Sequence, residues 1–314
     1  MSQFNAPHFQ SPEAARDYLE ALRWGSDRVC PHCGTVNESF LTKKPGVYRC
    51  RTKECRKDFS VTTKSVMESS HIKLNVWLQA FYLMASSKKG ISSHQLHRAL
   101  GITYKSAWFL THRIREAMRS GGLLPPLGGG AKTVEVDETY IGRPVGAPKK
   151  GRHGVSNKNT VLTLVERGGS VRSFHVDGVR IADIAPIITA NISRESKLMT
   201  DEAGWYKELG RKFLRHDTVH HRSEEYVRYT NAKEFPGGAD YVIHTNTVEG
   251  YYSIFKRGMK GVYQHCAEKH LHRYLSEFDF RYSNRVALGI GDGERADLAI
   301  KGAAGKRLTY RQPH

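Results

Sequence analysis

The chain has 314 residues, 39% of them hydrophobic and 25% charged, which is enough for two or three globular domains. Lys and Arg outnumber Asp and Glu by 18, and this surplus favours a nucleic-acid partner over a membrane surface. There is no run of 18 apolar residues and no signal peptide at the start, so we expect no membrane span. In a cytoplasmic protein the five cysteines are expected to be metal ligands rather than disulfides.

Residues 11–24 predict a short amphipathic helix with Ser11 as its cap, inside a helical lead-in of residues 1–29. Four cysteines follow as C-x2-C, sixteen residues and C-x4-C: Cys30, Cys33, Cys50 and Cys55. Two close pairs bring four thiolates to one tetrahedral Zn²⁺, whereas unrelated thiols or a redox pair would not need this spacing. We predict a structural zinc ribbon over residues 30–70 that needs its metal to fold.

Residues 71–120 show helical periodicity in three segments. The second segment ends at Gly101, and the third, "TYKSAWFLTHRIREAMR", carries many basic residues. A short helix, a glycine-containing turn and a basic second helix are typical of a helix-turn-helix; a plain helical bundle is the alternative. The predicted outward positions of the third segment are Lys105, His112, Arg113, Arg115 and Arg119, with Lys105 and Arg113 as candidate DNA contacts.

"GGLLPPLGGG", residues 121–130, predicts a linker. Beyond it, residues 131–290 combine strand-like and helix-like segments. Strands are expected at 132–141, 160–166, 171–177 and 197–200, and helices at 181–192, 202–210, 247–260 and 267–285. The basic stretch 141–160 predicts a DNA-contacting loop through Lys149, Lys150 and Arg152, or alternatively a solvated connection. The tail, residues 291–314, is expected to pack weakly.

An acidic residue, Asp137, interrupts the strand-like run "TVEVDETYIG", and Asp201 ends the later strand "SKLMTD". Asn246, Glu249 and Lys256 stand near the start of a predicted helix. Carboxylates from separate strands and a helix can converge on Mg²⁺, and two such ions can clamp the oxygens of a phosphoryl transfer. Helix capping by Asp201 and a capping box formed by Asn246 and Glu249 are the alternatives.

The motifs "CPHCG…YRCRTKECRKDFSVTTKSVM", "VEVDETYIG", "LMTDEAGWY" and "HTNTVEGYYSIFKRGMKGVYQHCAEKHLHRYLSEFDFRYSNR" resemble the zinc-ribbon transposases of the insertion-sequence family numbered 1595, over about residues 12–290. The resemblance implies a ribonuclease H-like α/β catalytic domain, a mixed sheet with flanking helices, that uses Mg²⁺. Asp137 and Asp201 match the first two catalytic acids. The third position matches Asn246 followed by Lys256, or Glu249 seven residues before Lys256.

The expected function is that of a transposase, which cleaves and joins double-stranded DNA at the inverted-repeat ends of its element. Family analogy also implies a homodimer or higher oligomer on DNA, and a cytoplasmic, nucleoid-associated location in a bacterium. We expect Asn246 and Glu249 to share the third role, with Asn246 closer to the metal. A non-catalytic DNA-binding regulator built from the zinc ribbon and helix-turn-helix is the alternative.

Overall fold

The computed structural model describes residues 3–121, 124–143, 158–204, 206–220, 225–230 and 241–309. The chain divides into two compact units. The first comprises Met1–Arg119 together with Ile290–His314, and the second comprises Ser120–Gly289. No helix in these described ranges is both long and apolar enough to cross a membrane.

The first unit contains six α-helices in its described part. They are α1 (Pro7–Gln10), α2 (Pro12–Trp24), α3 (Leu74–Ser86), α4 (Ser93–Leu100), α5 (Tyr104–Met118) and α10 (Asp292–Lys301). Ser11 Oγ accepts from Ala14 N and so caps α2, as predicted. Ser92 forms a capping box with Gln95 at the start of α4, and Gly101 ends that helix in the left-handed conformation.

A small antiparallel sheet of β1 (Ser39–Leu41), β2 (Tyr48–Cys50) and β3 (Asp58–Phe59) lies between α2 and α3 in the chain. Its core is small and depends on aromatic rings, since Trp24 of α2 packs edge-on against both Tyr48 and Phe59. Arg28 lies over the ring of Tyr48, 3.7 Å from its centroid. So few apolar side chains give little stabilisation on their own.

The expectation of a weakly packed tail is wrong for the described residues after 290. Helix α10 packs against α3, and Arg295 Nη1 donates to Ala85 O at the end of α3. Tyr18 Oη donates to Asp297 at 2.6 Å, and Val66 N donates to Ala303 O at 3.2 Å. The glycine and alanine content that suggested a loose tail allows close helix packing instead.

The second unit is built on a five-stranded mixed sheet in the order β6-β5-β4-β7-β8. β4 pairs antiparallel with β5 and parallel with β7, while β5–β6 is antiparallel and β7–β8 parallel. The strands are β4 (Thr133–Ile141), β5 (Asn159–Glu166), β6 (Val171–Val176), β7 (Lys197–Asp201) and β8 (Arg215–Val219). A separate antiparallel pair follows, β9 (Arg228–Thr230) with β10 (Tyr241–Ile243).

The helices of this unit are α6 (Ile181–Asn191), α7 (Tyr206–Gly210), α8 (Asn246–Gly258) and α9 (Leu271–Ser283). Val134 and Val136 of β4 share a core with residues of α6 and α7. Val161 and Val165 of β5 share another with α8 and α9. The sheet is therefore covered on both faces, which is why β5 is an almost uninterrupted buried run.

Candidate functional site

The four cysteines of the N-terminal unit converge. Their Sγ atoms all lie within 4.8 Å of one another. Cys30 Sγ is 3.8 Å from Cys55 Sγ, and Cys33 Sγ is 3.6 Å from Cys50 Sγ. A tetrahedral zinc with Zn–S bonds of about 2.3 Å requires S–S separations of about 3.8 Å, whereas a disulfide requires about 2 Å. The set therefore fits a single tetrahedral metal ion, as the spacing predicted.

Asp137 and Asp201 come from neighbouring parallel strands. Glu135 of β4 is opposite Met199 of β7, and two residues further along each strand stand Asp137 and Asp201. Because side chains alternate along a strand, both carboxylates are on the face that α8 covers. Asp201 Oδ1 accepts from Ala203 N at 3.1 Å and closes a turn. It does not cap α7, which begins only at Tyr206.

Glu138 lies on the other face of β4, and together with Asp137 and Asp201 it forms what we call the acidic cluster. Its main-chain N donates to Asp137 Oδ1 at 2.7 Å, and its carboxylate accepts from the hydroxyl of Tyr206. Burial raises the pKa of Glu138 to about 7, and the nearby negative charges of Asp137 and Asp201 add to that rise. Glu138 was not among the predicted site residues, although its position next to Asp137 in the sequence was a signal for it.

Glu135 was also not among the residues predicted from the sequence. It is 0% exposed, and its carboxylate accepts from Thr247 N at 2.8 Å, from Val248 N at 3.0 Å and from Thr247 Oγ1 at 2.8 Å. These two main-chain groups are among the first N–H donors of α8, which have no partner inside the helix. A carboxylate at this position also interacts favourably with the helix dipole. Glu135 therefore attaches the start of α8 to β4.

Arg167, just after β5, completes this attachment. Its Nε donates to Glu135 Oε1 at 2.6 Å, while its two terminal nitrogens donate to Val242 O at 2.6 Å and His244 O at 2.7 Å. His244 Nδ1 lies 3.2 Å from Asn246 N, which can donate to it when the ring is neutral, and also 3.2 Å from Glu135 Oε1. Burial lowers the pKa of His244, helped by the charge of Arg167, in agreement with that neutral form.

The capping box considered as the alternative role of Asn246 and Glu249 is absent from the described start of α8. The N-cap is Thr245, whose side chain makes no capping bond, and Asn246 is the first helical residue. The two donors that such a box would use are taken elsewhere, because Glu249 N donates to Thr245 O at 3.1 Å and Asn246 N lies 3.2 Å from His244 Nδ1. The side chains of Asn246 and Glu249 are both exposed, and Glu249 Oε1 accepts from Thr245 Oγ1 at 3.0 Å.

Helix α8 runs alongside β4. Its start contacts Glu135, and further along Tyr252 Oη donates to Asp137 O at 2.5 Å. Lys256 Nζ lies 5.8 Å from the centroid of the Tyr252 ring, so its charge is close to the same part of β4. Glu249 stands between the two contact points. The acidic side chains are more widely spaced than the thiols, since the cysteines are the only described set of three or more His, Cys, Asp or Glu within 4.8 Å of one another.

Two family models match this chain. The ISXO2-like transposase domain matches residues 126–283, about half of the chain, and the transposase zinc-ribbon domain matches residues 10–58. The chain belongs to the zinc-ribbon transposases of the insertion-sequence family numbered 1595. An uncharacterized protein in transposable element ISH50 of Halobacterium salinarum is 26% identical over 287 residues, 87% of this chain and 91% of the relative.

The two family matches assign the two candidate sites to different domains of the chain. All four cysteines lie within the matched zinc ribbon, and that match begins at residue 10, so it includes α2 and its Trp24. The acidic cluster lies within the matched transposase domain, together with the start of α8. The chain therefore carries an N-terminal zinc-ribbon domain and a C-terminal transposase domain with a mixed sheet and flanking helices, and a transposase role is supported.

The structure bears differently on the individual residues predicted to contact DNA. Lys105 is exposed on the first turn of α5, next to Tyr104, which is 45% exposed. The prediction that Arg113 faces outward is wrong, because it is only 9% exposed and donates to Leu308 O and Glu68 O. His112 and Arg115 are also buried. Lys149, Lys150 and Arg152 lie outside the described residues.

Proposed function

We propose that this protein binds the inverted-repeat ends of its insertion sequence and catalyses metal-dependent cleavage and strand transfer of DNA. The observation that carries the proposal is the placement of Asp137 and Asp201 on adjacent parallel strands, with Glu249 and Lys256 on the helix beside them. Rigid elements on three sides support such a group of side chains better than loops would. The family of the two domains points to the same activity.

Asp137, Asp201 and Glu249 would hold Mg²⁺, because hard cations favour anionic oxygen ligands. Bound there, the ion would lower the pKa of water and neutralise charge on the scissile phosphate. Water is the nucleophile for cleavage and a DNA 3′-hydroxyl the nucleophile for joining, so no covalent protein intermediate is required. Lys256, on the flank of α8 next to Tyr252, is placed to contact a phosphate.

For the third position, helix geometry favours Glu249 over Asn246. The buried residues Val248, Tyr251 and Phe255 define the inward side of α8. At 3.6 residues per turn, Glu249 points about 125° and Lys256 about 105° to one side of that direction, whereas Asn246 points about 170° away. Glu249 therefore faces along the flank that carries Lys256. The preference for Asn246 expected from the sequence is not supported by this geometry, although Asn246 stays a candidate.

The domain organisation is part of the proposal. The strand order β6-β5-β4-β7-β8, with helices on both faces, supports a ribonuclease H-like domain over residues 131–290. Helices α4 and α5, joined by Gly101, Ile102 and Thr103, support a helix-turn-helix within residues 71–120. The zinc ribbon is placed at residues 30–70, the lead-in at 1–29 and the linker at 121–130. Residues 291–314 belong with the N-terminal unit.

We assign recognition of the element ends to the zinc ribbon and the helix-turn-helix. Only the first turns of α5 are exposed, and the N-terminal residues of a recognition helix are those that reach base edges. Lys105 stays a candidate contact, as do Lys149, Lys150 and Arg152 of the basic stretch. Two DNA ends must be brought together before joining, so a homodimer or higher oligomer on DNA is expected.

An in vitro strand-transfer assay tests the proposal. Purified full-length protein is incubated with duplexes of the DNA that flanks the gene and with a supercoiled plasmid, with Mg²⁺ or with EDTA. We expect joined products in which a 3′-end of the duplex is linked to plasmid DNA, only with Mg²⁺. Specific binding to the flanking DNA without any nicking or joining would instead identify a DNA-binding regulator.

A further inference from the structure

The transposase domain contains a cavity whose described lining includes no residue of the acidic cluster. It has a volume of about 410 Å³ and lies where β4 ends and β5 begins, beside the segment that follows α8. Volumes of about 300–1,000 Å³ are usual for small-molecule sites. Ile141 and Asn159 of the sheet line one side, and Met259 and Lys260 line the other.

The lining has the chemistry of a nucleotide site. Ile141, Met259 and Leu271 give it an apolar wall, and Arg143 and Lys260 give it two cations at the rim. The described lining contains no carboxylate, and within the described residues neither cation forms an ion pair. An anionic ligand with a flat apolar body would satisfy both parts of this surface.

Asn159 points to a ligand independently of the charges. It is only 4% exposed, and its Oδ1 is buried without a hydrogen-bond partner among the described residues. Buried polar atoms normally have a hydrogen-bond partner, so an unpaired acceptor in a cavity wall indicates that a ligand donates to it. Asn and Gln amides can form two hydrogen bonds with the edge of a base, and Gln264 provides a second amide in the lining.

We propose that this cavity receives one unstacked nucleotide of the bound DNA strand, an inference that rests on the proposed function. The base packs against Met259 and Leu271 with its edge toward Asn159, and its phosphate lies against Arg143 and Lys260. Ile141 follows Asp137 by four residues of β4, a distance of about 13 Å. That corresponds to roughly four base steps of about 3.4 Å, so the nucleotide lies a few positions from the scissile phosphate.

Fluorescence of 2-aminopurine tests this, because the base brightens when it leaves the stack. The Asp137→Asn protein is mixed with flanking-DNA duplexes that carry 2-aminopurine in turn at each position of the last helical turn. We expect a fluorescence rise at one position. The rise should be lost in Ala267→Leu, where the larger side chain narrows the cavity, and reduced in Lys260→Ala. Lys207→Ala is the control, because Lys207 is an exposed lysine of α7 that does not line the cavity, and the rise should be kept in this variant.

Thermal melting would show whether the Ala267→Leu protein folds. If it does not fold, a second measurement tests the same proposal. Cys266 also lines the cavity, and it is the one cysteine outside the zinc set. A duplex carrying a cystamine disulfide on the base at the responsive position should exchange with the Cys266 thiol and release cysteamine. Cys266→Ser should remove that crosslink.

The two proposals can fail separately, because the fluorescence and crosslink assays need no cleavage. A responsive, crosslinked position in a protein that never joins DNA would keep the nucleotide site and remove the strand-transfer proposal. No fluorescence rise at any position, a rise that survives in folded Ala267→Leu protein, or no crosslink to Cys266 would overturn the nucleotide site.

Discussion

The Glu135 carboxylate and the Arg167 guanidinium form an ion pair with 2.6 Å between Oε1 and Nε. This Glu135–Arg167 pair connects the strand that carries Asp137 to the helix that carries Glu249. The carboxylate bonds to the first turn of α8, and the guanidinium bonds to the two carbonyls that precede it. The distance between the candidate metal ligands therefore depends on two residues that are not themselves ligands.

The first prediction concerns the stability that this pair provides. Glu135→Ala should lower the free energy of unfolding by about 3–5 kcal/mol, because it leaves the partly buried charge of Arg167 without a counter-ion and leaves Arg167 Nε and two helix N–H groups without acceptors. Adding Arg167→Met should recover part of that loss, since no unpaired charge then remains. Denaturant unfolding of the two single variants and the double variant measures the coupling.

Lys132 and Glu166 offer a matched control in the same sheet, because their ion pair of 3.0 Å includes a lysine whose side chain is 62% exposed. Lys132→Met should cost less than about 1 kcal/mol, as is usual for exposed pairs. If Glu135→Ala cost no more than Lys132→Met, the Glu135–Arg167 pair would not be what fixes the start of α8.

The second prediction concerns the zinc ribbon. Purified protein should contain about one equivalent of zinc per chain, held by four thiolates. Cys50→Ser should lose it and unfold the ribbon, because the core around Trp24 and Tyr48 is too small to fold without a metal. Elemental analysis with Cys266→Ser as the control measures this. Full zinc occupancy in Cys50→Ser would refute the ligand assignment.

The third prediction separates Asn246 from Glu249. Glu249→Ala should abolish cleavage while leaving the melting temperature nearly unchanged, because its side chain is exposed. Asn246→Ala should keep substantial activity, because that side chain points away from the flank of α8 that carries Lys256. Strand transfer and thermal melting on the same preparations provide the comparison. An inactive but fully folded Asn246→Ala protein beside an active Glu249→Ala protein would reverse the assignment.

The fourth prediction concerns a buried acid away from the site. Asp279 of α9 accepts from Tyr251 Oη at 2.5 Å, and from Ser173 N and Ser173 Oγ, both at 2.7 Å. Burial raises its pKa to about 6, although these hydrogen bonds oppose the rise. An acid whose folded-state pKa is raised stabilises the fold at low pH and loses that contribution as the pH rises through about 6.

The stabilisation of wild type relative to Asp279→Asn should therefore decrease between about pH 4 and pH 6.5 and stay level above that range. Melting temperatures of both proteins across this range measure the difference, and taking the difference cancels effects of pH on the zinc site. A difference that stays constant, or that grows with pH, would contradict the raised pKa.

Much of the fold was predictable because the signals are local. The alternation of β4, the helical spacing of α8 and the paired cysteines each lie within short stretches, and their positions agree with the structure to within a few residues. Ser11 and Gly101 marked helix ends for the same reason, since a cap is formed by neighbours in the chain.

The residues that were wrongly predicted or missed share a physical cause: the side chain or main-chain group that each one contacts is distant in sequence. Glu135 looked like one more polar residue of a strand because its partners, Thr247 and Val248, follow more than 110 residues later. Arg113 looked like an exposed DNA contact because its acceptors are Glu68 and Leu308. The helical period alone could not tell a solvent-facing side of α5 from a side covered by other chain segments.

The central claim is that Asp137 and Asp201 hold the metal that drives DNA cleavage, and nicking by Asp137→Asn and Asp201→Asn tests it most directly. Each variant removes a carboxylate while keeping the side-chain volume, and recognition of DNA is assigned to other parts of the chain. With Mg²⁺ and flanking-DNA duplexes, both variants should bind as tightly as wild type in gel shifts and yield no nicked product. Nicking at the wild-type rate by either variant would show that its aspartate is not a ligand and would contradict the account.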